Sequence, residues 1–143
     1  MEKVISIGKQ NFASLRENHY FFVDKSHFIK DWWENGDEIT LITRPRRFGK
    51  TLNLSMLNCF FSTFYENRAD LFEGLKIWDE KSYHKLQGRF PVIFLSFAGV
   101  KGKSFESVFR QMNYGIVEIY RRFERILDMS QFTDKERQDF ERI

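Results

Sequence analysis

The apolar residues of this chain change their spacing several times, and each spacing predicts a different element. From Thr51 onward they recur every four residues, at Leu52, Met56, Phe60 and Phe64. This spacing places them on one face of a helix, and further apolar residues beside them make that face wide. A narrow polar stripe follows positions 51, 55, 58 and 62. The pattern predicts a helix buried against neighbouring elements.

Other helices are indicated by their ends. Asp24 or Ser26 can cap a helix that runs to about residue 33 and ends at Gly36. Ser104 can cap a long amphipathic helix whose apolar positions are 105, 108, 109, 112, 116, 119, 120, 123, 126 and 127. A capping box of Thr133 and Glu136 predicts a further helix that continues to Ile143.

Three shorter runs, at 20–23, 38–43 and 90–97, are predicted to be strands. The run 90–97 is almost continuously apolar, which is typical of a strand covered on both faces in a parallel sheet. The order strand, loop, helix, strand, helix indicates βαβ connections. We therefore expect an α/β fold with a parallel sheet flanked by helices.

The loop between the second predicted strand and the following helix carries the clearest candidate chemistry. It reads Thr43-Arg44-Pro45-Arg46-Arg47-Phe48-Gly49-Lys50-Thr51, the layout of a phosphate-binding loop. Gly49 would let the backbone approach a phosphate, Lys50 would reach the β- and γ-phosphates, and the Thr51 hydroxyl would ligate Mg²⁺. The motif predicts a nucleotide phosphate site with Mg²⁺, and the choice of ATP as the nucleotide depends on the family resemblance described below.

The first half of this loop departs from the common pattern. Arg44 stands where glycine is usual, and Pro45 fixes φ and offers no N–H group. Arg46 and Arg47 could contact phosphate directly, pair with an acid elsewhere, or belong to an oligomer contact. Phe48 marks the point where the loop becomes a helix.

The positive charge of the chain is concentrated in this loop. The 143 residues include 23 Lys and Arg against 20 Asp and Glu, a formal net charge of +3. Without Arg44, Arg46, Arg47 and Lys50 there remain 19 basic and 20 acidic residues, a net charge of −1. The chain is therefore not a generally basic nucleic-acid binder, and its excess charge is placed as an anion site requires.

Other features limit the functional classes. No run approaches the roughly 18 apolar residues that a membrane span needs, and the start of the chain does not resemble a secretory leader. The single cysteine, Cys59, lies on an apolar helix face and is predicted to be a core residue, which suits a cytoplasmic protein. The three histidines, His19, His27 and His84, lack the spacing of metal ligands.

Hydrolysis needs an acid after a second apolar strand to help hold Mg²⁺. The run 90–97 is followed by Ala98 and Gly99, with no acid. Asp24 follows an apolar run, but it precedes the loop and fits a helix cap. No catalytic residue is assigned on this pattern.

Several segments together resemble the prokaryotic AAA-ATPase-like family. They are Ile7-Gly8, Phe12, Leu15-Arg16, Tyr20–Lys25, Thr43–Asn53, Leu71–Ile77 and Phe90–Phe97. The resemblance covers nearly the whole chain, and it implies that Arg44 is a family trait. It also implies that residues 1–143 are the N-terminal part of a P-loop ATPase domain, often joined to a C-terminal nuclease-like domain of the PD-(D/E)XK type. The acidic Mg²⁺-binding motif would then lie beyond Ile143, so we expect that this segment alone does not hydrolyse ATP.

The leading interpretation is an ATP-binding module of a P-loop ATPase. The alternative is a non-catalytic module that uses the arginine-rich loop to bind nucleic acid or another protein. A homo-oligomer is compatible with both. A third interpretation is structural, with Arg46 and Arg47 forming salt bridges only.

Overall fold

The computed structural model describes residues 4–5, 8–45, 48–124, 127 and 129–142. The chain divides into two units, residues 1–92 and 93–143, and each is described by itself. The first contains α1 (Phe12–Glu17), α2 (His27–Asn35), α3 (Lys50–Phe61) and α4 (Lys76–Asp79); the second contains α5 (Phe105–Glu124) and α6 (Asp134–Glu141). Short 3₁₀ turns cover Thr63–Tyr65, Ala69–Leu71, Lys81–Leu86 and Met129–Gln131.

The predicted α/β fold with a parallel sheet is wrong. The described residues form helices and no strand, and their one bridge is an isolated parallel pair between Ser62 and Phe90. Residues 20–23, 38–43 and 91–97 have no regular structure, and Ile39 and Ile93 are 89% and 70% exposed. An apolar run becomes a strand only when a neighbouring strand supplies hydrogen-bond partners along its length. Within the described residues these runs have only isolated backbone hydrogen bonds, such as the one from the Phe21 N–H to the Val4 carbonyl at 2.9 Å.

The core of the first unit is helical and aromatic. Phe12 of α1, Phe60 of α3 and Phe72 are fully buried. The Phe72 ring stacks on Phe12 with centroids 5.2 Å apart and meets Phe60 edge to face at 5.0 Å. Each buried phenylalanine contributes about 1.5–3 kcal/mol by leaving water. The helix predicted from Thr51 is confirmed, although it ends at Phe61 and Phe64 lies in the following 3₁₀ turn.

The predicted cap of α2 has a different role. Ser26 precedes α2 but makes no side-chain cap there. Its hydroxyl accepts the Ile77 N–H at 3.1 Å, and the Asp24 carboxylate accepts the Ser26 N–H at 2.8 Å and the Lys76 N–H at 2.9 Å. The two side chains therefore cap α4 across about 50 residues of sequence. Gly36 ends α2 in the left-handed conformation, as its sequence position predicts.

The contribution of Asp24 to the free energy of unfolding should depend on pH. Partial burial raises the pKa of this carboxyl, but the hydrogen bonds from Ser26 and Lys76 outweigh burial and bring the pKa below its ordinary value. A lowered pKa in the folded state stabilises the protein above the unfolded pKa, and the stabilisation is lost as pH falls through the folded value. We expect Asp24→Asn to lower the free energy of unfolding by about 1 kcal/mol at pH 7.

Urea denaturation of wild type and Asp24→Asn at pH 7 and near pH 3 measures this difference. The difference should shrink at the lower pH, because protonated Asp24 resembles asparagine. A difference that stays constant with pH would show that the negative charge of Asp24 contributes nothing to the cap.

In the second unit, the helix ends follow the sequence pattern. Thr133 and Glu136 form the predicted capping box at the start of α6. The predicted α5 is confirmed from Phe105 to Glu124, whereas residues 125 and 126 and the predicted end of α6 at Ile143 lie outside the described residues. The Gln111 side chain accepts the Lys101 N–H at 3.1 Å and donates to the Lys101 carbonyl at 2.5 Å. This pair ties the preceding loop to α5.

Candidate functional site

The predicted phosphate loop lies in the first unit, where it leads into α3. Gly49 occupies the N-cap position of α3 with φ +74°, the left-handed conformation. A Cβ added there would meet no heavy atom within 4 Å. The glycine is therefore required by its backbone conformation and not by lack of space, since non-glycine residues adopt this region at a cost of about 1–2 kcal/mol.

The first turn of α3 is arranged to accept negative charge. It has no side-chain cap and contains no acidic residue. The helical hydrogen bonds start with the Asn53 N–H, which donates to the Gly49 carbonyl at 2.9 Å. The preceding N–H groups of the turn have no helical acceptor, and the helix dipole adds partial positive charge at this end. Such a terminus can bind a phosphate oxygen.

Lys50, the first residue of α3, folds back over the loop. Its ammonium group donates to the carbonyl oxygen of Arg44 and lies 3.5 Å from that of Pro45. The side chain is half-buried, so it remains within reach of solvent and of a ligand. The lysine thus connects the beginning and the end of the loop, and its charge is held at the loop backbone.

The other described residues of the predicted site are exposed or half-buried. Arg44 and Pro45 are exposed, Phe48 is 58% exposed, and Thr51 is half-buried in the first turn of α3. Arg46 and Arg47 lie outside the described residues. The structure therefore brings Arg44, Pro45, Gly49 and Lys50 together.

A metal site is not assembled in the described part of the chain. No group of three or more His, Cys, Asp or Glu side chains in that part could hold an ion. Asp24, the one acid that follows an apolar run before the loop, caps α4 instead. The assignment of the Thr51 hydroxyl as a ligand of Mg²⁺ stays a prediction.

Cys59 is a core residue, as predicted. It is 1% exposed on α3. Burial raises the pKa of its thiol to about 11, although hydrogen bonding with Tyr65, the Ala13 backbone and Ser55 offsets part of the increase. The thiol is therefore neutral and weakly nucleophilic at physiological pH.

The sequence prediction missed the buried connection between α3 and α1. The hydroxyl of Ser55 accepts the Phe12 N–H at 3.0 Å, across 43 residues. One signal was present in the sequence, because Ser55 belongs to the narrow polar stripe of this helix, one turn after Thr51. Its partner could not be read from the sequence, because the contact joins distant segments.

Comparison with known families identifies one family that this chain matches. Residues 6–142 match the family described as predicted AAA-ATPase. The chain belongs to this family. The family membership predicted from the sequence is confirmed, and it supports an ATP-binding role for its members at the level of the family description. The fusion to a nuclease-like domain stays a prediction.

Among curated proteins, the chain is similar to an uncharacterised protein in the vnfD 5′ region of Azotobacter chroococcum mcd 1. The two are 38% identical over 98 residues, which cover 68% of this chain and 17% of the relative. The match thus spans about a sixth of the relative's length. No solved structure matches the chain. No helix within the described ranges has the length and apolar character needed to cross a membrane.

Proposed function

We propose that this member of the predicted AAA-ATPase family binds ATP through residues 44–51. The observation that carries the proposal is the start of α3, where a left-handed Gly49 precedes an uncapped helical turn that begins with Lys50. The free backbone N–H groups, the positive end of the helix dipole and the Lys50 side chain all belong to the first turn of α3.

Each group has a distinct role in holding the triphosphate. The first-turn N–H groups donate to phosphate oxygens, and Gly49 allows the ligand to approach the backbone. Lys50 exchanges its contacts with the Arg44 and Pro45 carbonyls for the more strongly charged β- and γ-phosphates. Thr51 provides a hydroxyl ligand to Mg²⁺, and the exposed Arg44 adds positive charge at the edge of the site.

Hydrolysis requires more than these residues supply. Bound Mg²⁺ would neutralise charge on the β- and γ-phosphates, while an acid and a water-positioning residue would have to complete the site. The proposal for residues 1–143 is therefore binding of Mg-ATP, without turnover by this segment alone. Where such groups are supplied, we propose that the same loop belongs to an ATPase.

Isothermal titration of the chain with Mg-ATP tests the proposal. We expect saturable heat with a Kd at or below about 1 mM, which corresponds to about −4 kcal/mol. ATP without Mg²⁺ and inorganic phosphate serve as comparison ligands and should bind more weakly. The absence of saturable heat at millimolar Mg-ATP would contradict binding by this chain.

A parallel titration with duplex DNA at low and moderate salt separates the alternative function. Binding of DNA through the arginines would weaken steeply with salt and would compete with ATP. The localised charge of the loop favours a compact triphosphate over an extended duplex. Salt-sensitive DNA binding together with no saturable binding of Mg-ATP would instead favour the nucleic-acid module.

A further inference from the structure

Ser55 is a buried hydrogen-bond acceptor on the helix that starts at the candidate site. It is 7% exposed, and its hydroxyl accepts the Phe12 N–H at 3.0 Å. Phe12 is the first residue of α1, so its N–H group has no acceptor within its own helix. The Asn11 side chain caps Ser14 at 2.9 Å, which leaves the Phe12 donor to Ser55. The bond therefore satisfies a buried donor across the interface of α1 and α3.

This bond restricts α3 in a way that its apolar contacts do not. Met56 and Phe60 are fully buried on α3, but apolar burial is non-directional and permits small rotations of a helix about its axis. A hydrogen bond weakens steeply when its angle changes. The Ser55 contact therefore fixes the rotation of α3 as well as its distance from α1.

The rotation matters because of where Ser55 lies in the helix. Thr51 is four residues earlier, so both side chains lie on the same face of α3, one turn apart. A fixed Ser55 consequently fixes the direction in which Thr51 and the first-turn N–H groups point. Those groups are the ones that the proposed function assigns to phosphate and Mg²⁺.

We propose that Ser55 is a positioning residue that anchors the phosphate-binding end of α3 to α1. The role in ligand binding depends on the proposed function, whereas the anchoring itself is a property of the ligand-free chain. The Phe12 ring packs against the rings of Phe72 and Phe22, with centroid distances of 5.2 Å and 5.5 Å. Ser55 is thus bonded to a rigidly packed part of α1.

Amide hydrogen exchange of the ligand-free chain tests the anchor, with the Asn53 N–H as the reporter of the first turn of α3. We expect Ser55→Ala to speed exchange of this N–H about tenfold, the effect of losing roughly one hydrogen bond. Alanine has the higher helix propensity, so a purely local effect would slow exchange instead. The two explanations therefore predict opposite signs.

Ser26→Ala is a matched control. Ser26 is also buried, and its hydroxyl also accepts a distant backbone N–H, that of Ile77 at 3.1 Å. This variant should speed exchange in α4 and leave Asn53 within about twofold of wild type. Equal acceleration at Asn53 in both variants would show a general loss of stability and overturn the positioning role. Unchanged exchange at Asn53 in Ser55→Ala would overturn it as well.

Two further variants separate the loss of the hydroxyl from a general failure to fold. Ser55→Thr keeps the hydroxyl and should restore slow exchange, and Ser55→Cys keeps a similar volume with a weaker acceptor and should give an intermediate rate. Ser55→Cys replaces the alanine variant if that variant does not fold, and wild-type exchange in Ser55→Cys would overturn the proposal. Mg-ATP titration is run alongside. Failure of wild type to bind contradicts the proposed function alone, because the exchange measurement does not need the ligand.

Discussion

Phe72→Ala is expected to lower the free energy of unfolding by about 3–5 kcal/mol, the range for removing a buried phenylalanine ring. The Phe72 side chain is fully buried. Its ring contacts Phe12 of α1 at 5.2 Å, Phe60 of α3 at 5.0 Å and Trp78 of α4 at 6.4 Å. The substitution leaves a cavity where three helices meet, and aromatic pairs add about 0.5–1.5 kcal/mol beyond area burial.

Urea denaturation followed by tryptophan fluorescence measures the loss, because Trp78 reports on the same region. Phe21→Ala is the control in the same unit. Phe21 is 50% exposed, so its truncation should cost less than about 1 kcal/mol. Equal losses in the two variants would contradict the assignment of Phe72 to the centre of the core.

The core also explains which parts of the fold could be predicted from the sequence. The helices α3, α5 and α6 were predicted because their signals are local: an apolar period, a capping box, or both. The end of α2 at Gly36 is local for the same reason. These elements depend on residues within a few positions of one another, and the chemistry of a cap or an amphipathic face can be read directly.

The absence of a sheet from the described residues could not be predicted in the same way. Ile39 and Ile93 belong to runs with the composition of strands, but a ladder depends on a partner segment that periodicity does not specify. The caps contributed by Asp24 and Ser26 were misassigned for a related reason. Both side chains precede α2, yet the N–H groups that they accept belong to Lys76 and Ile77.

The candidate site lies between these two cases. Gly49 and Lys50 were predicted because their spacing and position before a helix carry the chemistry, and the structure gives Gly49 its left-handed conformation. The contact of Lys50 with the Arg44 carbonyl was not predicted, since it depends on the path of the irregular loop. Ser55 was placed in the polar stripe but not connected to α1.

Lys50→Ala is expected to weaken Mg-ATP binding by about 10- to 100-fold, since hydrogen bonds to charged groups contribute about 1.5–3 kcal/mol. Lys50 is the one cationic side chain in the first turn of α3, and its ammonium group lies 3.5 Å from the Pro45 carbonyl oxygen of the loop. Its removal should change the fold little, because the side chain is only half-buried and contacts backbone carbonyls of the loop. Isothermal titration gives the affinity, and thermal denaturation confirms that the variant is folded.

Lys85→Ala and Lys50→Arg separate the role of this position from that of charge alone. Lys85 is exposed in the 3₁₀ turn Lys81–Leu86. Lys85→Ala changes the net charge of the chain by the same amount as Lys50→Ala, so this variant should bind Mg-ATP as tightly as wild type. Arginine keeps the charge at position 50, but its planar guanidinium is larger and cannot reproduce the compact ammonium. We expect Lys50→Arg to bind more weakly than wild type and at least as well as alanine. Equal Mg-ATP affinities in wild type, Lys50→Ala and Lys85→Ala would show that Lys50 does not contact the nucleotide. That result would contradict the assignment of residues 44–51 as a phosphate-binding loop.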